Sequence, residues 1–205
     1  MTGADDASAD RAAVDHAAKP DAIADADHAA QPNAIAVAHT ASPVGELLIV
    51  ATDEGIVRIA FRREPREKVI KELTAAIGPV DDDPAAARFQ HLEAAIQELD
   101  AFFNGALRTF TVPVDQRMSS GFRRAAQQAM LTIPYGERIS YRELAERAGN
   151  PAAVRPAAAG CSTNPVPILV PCHRVVRSDG RIGDYRGGSE AKRLLLELEE
   201  RGGCA

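Results

Sequence analysis

Residues 168–176 read "ILVPCHRVV": a cysteine and a histidine side by side, directly after a proline, between two runs of β-forming residues. Such a cysteine is a nucleophile, a metal ligand or a small buried residue. An unpaired cysteine is more often buried and inert than reactive. To act as a nucleophile it must become a thiolate, and a free thiol with a pKa of ~8.5 holds little thiolate at neutral pH. It therefore needs a base within reach and a third group to orient that base. His173 is adjacent, but neighbouring side chains in extended backbone point to opposite sides. Contact between Cys172 and His173 needs a turn, which Pro171 favours, or a bridging water; the water-bridged form is preferred.

The third group is sought on the terminal segment "SEAKRLLLELEERGG", a helix with Ser189 as expected N-cap and Gly202 past its end. At ~3.6 residues per turn, Glu199 falls between Leu195 and Leu196, while Glu197 and Glu200 fall on the opposite side. Glu199 is thus the glutamate expected to face inward, where it needs a partner such as a histidine ring N–H. Zinc is poorly supported, since no C-x-x-C occurs and Cys161 and Cys172-His173 lack ligand spacing. Cys204, His16, His28 and His39 are expected to be bystanders.

Upstream, "SYRELAERAGNPAAVRPAAAG" (140–160) predicts two short helices around a Gly-containing turn. Ser140 and Glu143 have capping-box spacing, and Asn150-Pro151 suggests the second start. The pair suggests a helix-turn-helix, a weak signal alone because most such pairs only pack. Before it, "GFRRAAQQAML" puts Phe122, Ala125, Ala126, Ala129 and Met130 on one helical stripe that Pro134 stops.

The N-terminal half predicts a small α/β module. A first strand is expected around Ala34–His39. "GELLIVATDEGIVRIAF" (45–61) has two apolar runs around Asp53-Glu54-Gly55, a hairpin pattern. "REKVIKELTAAI" places Val69, Ile70, Leu73 and Ile77 on one helical face. After the acidic loop "DDDP", a longer helix carries Phe89, Leu92, Ile96, Leu99 and Phe103 and ends near Asn104-Gly105; "RTFTVPVD" (108–115) reads as a last strand. The expected domains are a disordered Ala/Asp-rich tail at 1–34, an α/β domain at 35–115 and a mostly helical domain at 116–205.

Residues 1–115 hold 10 Lys+Arg against 20 Asp+Glu, whereas residues 116–205 hold 14 against 9. The C-terminal half thus permits a polyanionic partner that the net charge of −5 conceals. No apolar run approaches the ~20 residues of a membrane span, and no secretory signal is recognisable. Three cysteines suit a reducing, cytoplasmic interior better than a disulfide framework.

"STNPVPILVPCHRVV", followed by "GDYRGG" and "KRLLLELE", resembles the O6-alkylguanine-DNA alkyltransferases, also called methylated-DNA–protein-cysteine methyltransferases. The similarity extends back through "IPYGERISYRELAERAGNP" and, more loosely, to "SPVGELLIVATDEGIVRIAF". The resemblance implies a two-domain α+β protein whose C-terminal domain carries a helix-turn-helix and the active cysteine. It implies direct reversal of damage: O6-methylguanine, with O4-methylthymine as a further candidate, is flipped from duplex DNA and its alkyl group moves irreversibly to Cys172. His173 matches the water-linked base, Glu199 the carboxylate orienting it, and Tyr141 the hydroxyl that protonates the leaving guanine. Arg155 matches the arginine that fills the gap left by the flipped base, and Asn164 the asparagine tying the helix-turn-helix to the active segment. Pro167, Val175, Tyr185, Arg186 and Gly187 match the alkyl and base pocket. No cofactor or metal is implied; the partner is double-stranded DNA carrying O6-alkylguanine, met by a monomer with cooperative loading as an option.

Two positions depart from the family pattern. Pro156 follows Arg155, which predicts that the second helix begins near Val154 or kinks there. Ser162-Thr163 stands where an arginine or glycine is usual, removing a phosphate contact. The competing readings are an alkyltransferase-like protein that binds the lesion without transfer, and a Cys-His hydrolase for which no oxyanion hole is recognisable. A methylation-triggered transcription factor would need a four-cysteine module that three cysteines cannot supply.

Overall fold

The computed structural model describes residues 35–81 and 90–203. The tail at 1–34, the acidic loop from Asp82, Phe89 and Cys204 lie outside the described residues.

The N-terminal half is built on a four-stranded sheet in the order β3-β2-β1-β4, with β1 Ile35–Thr40, β2 Leu47–Thr52, β3 Gly55–Phe61 and β4 Val80–Asp81. The hairpin β2-β3 turns at the expected residues. β1 and β2 pair antiparallel, and β4 joins β1 in parallel. Every residue of β2 and β3 is buried because both faces are covered. Alternation sorts them: Leu48 and Val50 pack with Val69 and Leu73 of α1 (Arg66–Ala76), whereas Leu47, Ile49 and Ala51 join the larger core. A bulge opposite Val50/Ala51 resets β3, so that Val57 and Ala60 face α1 while Ile56, Ile59 and Phe61 face the larger core.

The buried rows of the helices differ in detail from expectation. On α1, Ile70 and Ile77 are only half-buried. On α2 (Gln90–Phe103) the sheet takes Leu92, Ala95, Leu99 and Phe102. Two rows share Leu92 and Leu99; the one containing Phe102 wins because its ring meets Phe103, Phe110 and Tyr135 at centroid distances of 5.2–6.0 Å. The stretch 108–115 is not a strand. Glu98 accepts the N–H groups of Thr111 (2.8 Å) and Val112 (3.2 Å), and Pro113 has no N–H to extend a ladder. Only an isolated bridge, Val114 to Ile56, remains.

The C-terminal half is helical around a two-stranded parallel ladder. Its elements are α3 Gly121–Leu131, β5 Ile139–Ser140, α4 Tyr141–Arg147, α5 Val154–Ser162, a 3-10 turn Cys172–Arg174, β6 Val175–Val176 and α6 Gly188–Gly203. On α3, Ala126, Gln127, Ala129 and Met130 are buried, while Phe122 and Ala125 are half-buried. The capping box of α4 is complete: Ser140 accepts the Glu143 N–H, and Glu143 accepts the Ser140 N–H. α5 starts at Val154 rather than at Pro151. A helix running from Pro151 would drive the Pro156 ring into the Ala152 carbonyl; with Ala153 as N-cap and the first bond from the Ala157 N–H to the Ala153 carbonyl (2.9 Å), Pro156 sits in the first turn, where no N–H is needed. Among the described residues no helix is long and apolar enough to cross a membrane.

Pro156→Ala should therefore change unfolding free energy by less than about 1 kcal/mol, whereas Ala159→Pro, past the first turn, should cost about 3 kcal/mol. Urea midpoints of the two variants test this; a large gain in stability from Pro156→Ala would show that the proline strains α5.

Candidate active site

Pro171 ends the preceding segment, and the chain then tightens: Cys172 N–H donates to the Val170 carbonyl (2.8 Å) and Arg174 N–H to that of Pro171 (3.0 Å). This 3-10 turn replaces the extended backbone that would have thrown Cys172 and His173 to opposite sides. Cys172, His173 and Arg174 are all buried. Immediately before it, Val166–Val170 forms a tight turn holding Pro167, in which buried Ile168 adopts φ +79°, a strained value for a β-branched residue.

α6 brings Glu199 beneath the turn. Its carboxylate, 1% exposed, accepts from His173 Nε2 (2.9 Å), Arg174 Nε (3.1 Å), Arg174 Nη2 (2.9 Å) and the Gly136 N–H (3.0 Å). These donors outweigh the burial that would raise its pKa, and hold the carboxyl down at about 2. Because a carboxylate can only accept, His173 carries its proton on Nε2. Nδ1 is then an acceptor; it is buried and makes no hydrogen bond within the protein. Burial, first among its influences, pulls the His173 pKa below the ordinary imidazole value, so the ring is neutral at physiological pH.

The Cys172 sulfur accepts from Asn164 Nδ2 (3.2 Å). Asn164 also donates to the Val170 carbonyl (2.9 Å) and accepts the Val166 N–H (3.1 Å), so its amide is oriented at three points. Burial pushes the Cys172 thiol up, while the Asn164 donor and the Lys192 charge pull it down. Cys161, its sulfur 3.9 Å from that of Met130, is likewise pushed up by burial.

Tyr141 reaches the same region because β5 and β6 pair, Ile139 with Val175 and Ser140 with Val176. This ladder pins the start of α4 to the residues that follow the turn, and buries Val175. Burial above all, with the Asp184 charge nearby, pushes the Tyr141 hydroxyl up to about 12, so it keeps its proton. The loop 183–187 passes over it: a Cβ on Gly183 would lie 2.2 Å from the Tyr141 hydroxyl oxygen, and one on Gly187 would lie 2.7 Å from the Phe61 ring. Tyr185 is buried, its ring 6.5 Å from that of His173, and its hydroxyl makes no hydrogen bond within the protein. Arg186 does not stand free in a pocket: its Nε donates to Glu64 (2.7 Å) and Nη1 to the Asn164 carbonyl (3.3 Å). Arg155 is apart from the rest, exposed on the first turn of α5.

Sequence reasoning missed Arg174, Lys192 and Glu64. Lys192 is buried with Nζ on the Val175 carbonyl (2.6 Å), and burial lowers its pKa against the pull of Cys172 and Cys161. It lies seven residues before Glu199, two helical turns along the same face, so the periodicity that exposed one exposes the other. Among the described residues no group of three or more His, Cys, Asp or Glu side chains is arranged to hold a metal ion.

Family models divide the chain in two. "6-O-methylguanine DNA methyltransferase, ribonuclease-like domain" matches residues 35–116, and "6-O-methylguanine DNA methyltransferase, DNA binding domain" matches residues 121–201. The chain belongs to the 6-O-methylguanine DNA methyltransferase family. Among relatives, the inducible methylated-DNA–protein-cysteine methyltransferase of Bacillus subtilis is 37% identical over 75% of this chain and 83% of its own length. That of Mycobacterium leprae is 45% identical over 78% and 88%. The crystal structure of the Mycobacterium tuberculosis O6-methylguanine methyltransferase in complex with DNA superposes with TM-score 0.69 at 32% identity, over 82% of this chain and 94% of that one. The methyltransferase fold thus comprises an N-terminal sheet domain and a C-terminal helical domain, and Cys172, His173, Asn164, Tyr141 and Glu199 all fall within the second match.

Glu199 makes stability pH-dependent. Its folded pKa of about 2 against an ordinary 4.5 stabilises the fold fully above about 4.5, and this is lost as pH falls towards 2. Glu199→Gln should cost about 3 kcal/mol at neutral pH, with the gap to wild type closing at low pH. Urea unfolding between about pH 7 and pH 3 measures it; a gap independent of pH would contradict the charge-based account.

Proposed function

We propose that this methyltransferase-family protein repairs DNA by direct reversal, accepting the alkyl group of O6-alkylguanine on Cys172 in a single turnover. The observation that carries this reading is the His173 ring. Its Nε2–H is committed to Glu199, which leaves a buried, unpaired Nδ1 on the residue next to Cys172 in the chain, free to take a proton.

In this reading the Cys172 proton passes through a water to His173 Nδ1 as the sulfur attacks the alkyl carbon. An S–C bond forms, the C–O6 bond breaks, and the guanine leaves with the electron pair. The Tyr141 hydroxyl, protonated at any physiological pH, supplies the proton that neutralises the departing base, and solvent and His173 restore the tyrosine. The thioether has no leaving group, so the protein acts once. Asn164 supports the developing thiolate by donating to sulfur. The helices α4 and α5 serve as the helix-turn-helix, with exposed Arg155 inserted where the flipped base was and Pro156 harmless in the first turn. Pro167, Val175, Tyr185, Gly187 and the Arg186 backbone form the alkyl and base pocket. Ser162 and Thr163 hydroxyls turn back to the Ala159 carbonyl, so no cation there meets a phosphate. The domain boundary is placed between residues 115 and 116, the partner is alkylated duplex DNA bound by a monomer, and the compartment is the cytoplasm. Lesion binding without transfer is not favoured, since the acceptor cysteine, its base and its carboxylate are all present.

Incubated with duplex DNA carrying one O6-methylguanine, the protein should gain one methyl on the Cys172 tryptic peptide, and Cys172→Ser should gain none. DNA bound but left methylated would overturn the assignment. Because His173 is held below its ordinary pKa, the single-turnover rate should stay level as pH falls to about 6.5 and decline only beneath it; a rate that halves near pH 6.5 or above would refute the neutral buried base.

A further inference from the structure

Edge strand β3 of the sheet domain meets the active segment directly. The Ile59 N–H donates to the Pro165 carbonyl (2.9 Å). Beside it, Arg58 is 2% exposed, an uncommon place for a guanidinium, with Nη1 shared between the carbonyls of Ile59 (2.9 Å) and Pro165 (3.2 Å). Its Nη2 donates to Glu64 (2.6 Å). The same Glu64 oxygen accepts from Arg186 Nε (2.7 Å), and the other accepts the Phe61 N–H (3.1 Å). Arg186 in turn donates to the Asn164 carbonyl (3.3 Å). One N-terminal carboxylate therefore holds two arginines, and the arginines hold the two successive carbonyls of Asn164-Pro165. The Asn164 side chain ends on the Cys172 sulfur.

We infer that Glu64, with Arg58, is a positioning residue for the acceptor: through Arg186 and the Asn164-Pro165 peptide it aims the Asn164 amide at the Cys172 sulfur, so the sheet domain sets the reactivity of a cysteine in the other domain. This rests on Cys172 being the alkyl acceptor. The geometry gives the clasp a reason beyond domain adhesion. An amide N–H stabilises a thiolate only along its donor direction, and a small rotation of the 164–165 backbone swings Nδ2 away from sulfur. The loop that the clasp also fixes carries Tyr185, whose ring packs edge-on against Phe61 at 5.5 Å, so the same anchor holds the pocket wall. Burial of the ion pair argues for position over stability, since desolvation offsets much of the attraction.

The test uses the full-length protein, Glu64→Gln, Glu64→Asp and Arg186→Gln, with two readouts beside thermal melting. The first is the rate of methyl transfer from O6-methylguanine duplex to Cys172. The second is the pH dependence of Cys172 carbamidomethylation by iodoacetamide, read on the Cys172 peptide, which needs no DNA. The expected result is a folded Glu64→Gln protein with transfer slowed about tenfold and its iodoacetamide profile moved about one pH unit alkaline, and Glu64→Asp recovering part of both. Arg186→Gln, altered at a partly exposed residue, should reproduce the shift if Glu64→Gln fails to fold. Folded variants with the wild-type rate and profile would reduce the clasp to adhesion and overturn the inference. Wild-type protein that fails to methylate on Cys172 yet shows the shifted profile in Glu64→Gln would instead refute the acceptor assignment alone.

Discussion

The buried carboxylate of Glu199 is the point from which the C-terminal domain is organised. It takes donors from the 3-10 turn through His173 and Arg174, and from the chain before β5 through the Gly136 N–H. A lone ion at this depth would cost several kcal/mol, and only a full set of charge-assisted hydrogen bonds offsets that. The arrangement is therefore close to all-or-none. If one donor moves, the remaining charge is under-satisfied, and the structure resists that motion. The rigidity reaches His173, whose tautomer follows from facing an acceptor that cannot donate. Arg174 extends it to the Ile133 carbonyl at 2.6 Å and to the Tyr135 ring, 5.8 Å from its guanidinium carbon.

A second constraint comes from the sheet. β3 lies at its edge, and an unpaired edge leaves N–H and C=O groups open to other chains. Here that edge is used: Ile56 pairs with Pro113 and Asp115, and Ile59 with Pro165. The domain connection and the active segment thus complete a strand that would otherwise be exposed. The bulge in β3 permits this while keeping Ile59 and Phe61 in the larger core. Satisfying the edge and positioning the Asn164 segment are one structural act.

How much of this was legible follows from the range of each interaction. Periodicity put Glu199 inward, and alternation made direct Cys172–His173 contact depend on a turn, because both rest on local geometry that the chain states in every few residues. Pro156 displaced the start of α5 by the same local logic. The choice between two helical rows on α2 was not legible: Leu92 and Leu99 belong to both, and only the rings of Phe110 and Tyr135, distant in sequence, decide for Phe102. The stretch 108–115 looked like a strand because its composition is β-like, yet Glu98 on a different element claims the N–H groups a ladder would use. Glu64 was invisible for the same reason. Its partner Arg186 lies 122 residues away, and nothing within either segment announces the other.

The proposed acceptor poses a tension that its surroundings resolve. Burial raises the Cys172 pKa and so disfavours the nucleophile, which looks contrary to its task. The same burial lowers the His173 pKa, leaving a neutral thiol and a neutral base, while the buried charges around them, those of Glu199, Arg174 and Lys192, are already held by hydrogen bonds. Charge separation then arises only when a proton leaves sulfur, and each product has a partner waiting. The thiolate has the Asn164 donor and the Lys192 field, and the imidazolium has the Glu199 carboxylate. The site is thus preorganised for the charges of the reacting state while the resting state holds the thiol protonated. For the proposed single use of Cys172 that difference matters, since a standing thiolate would be open to oxidation before any lesion arrived.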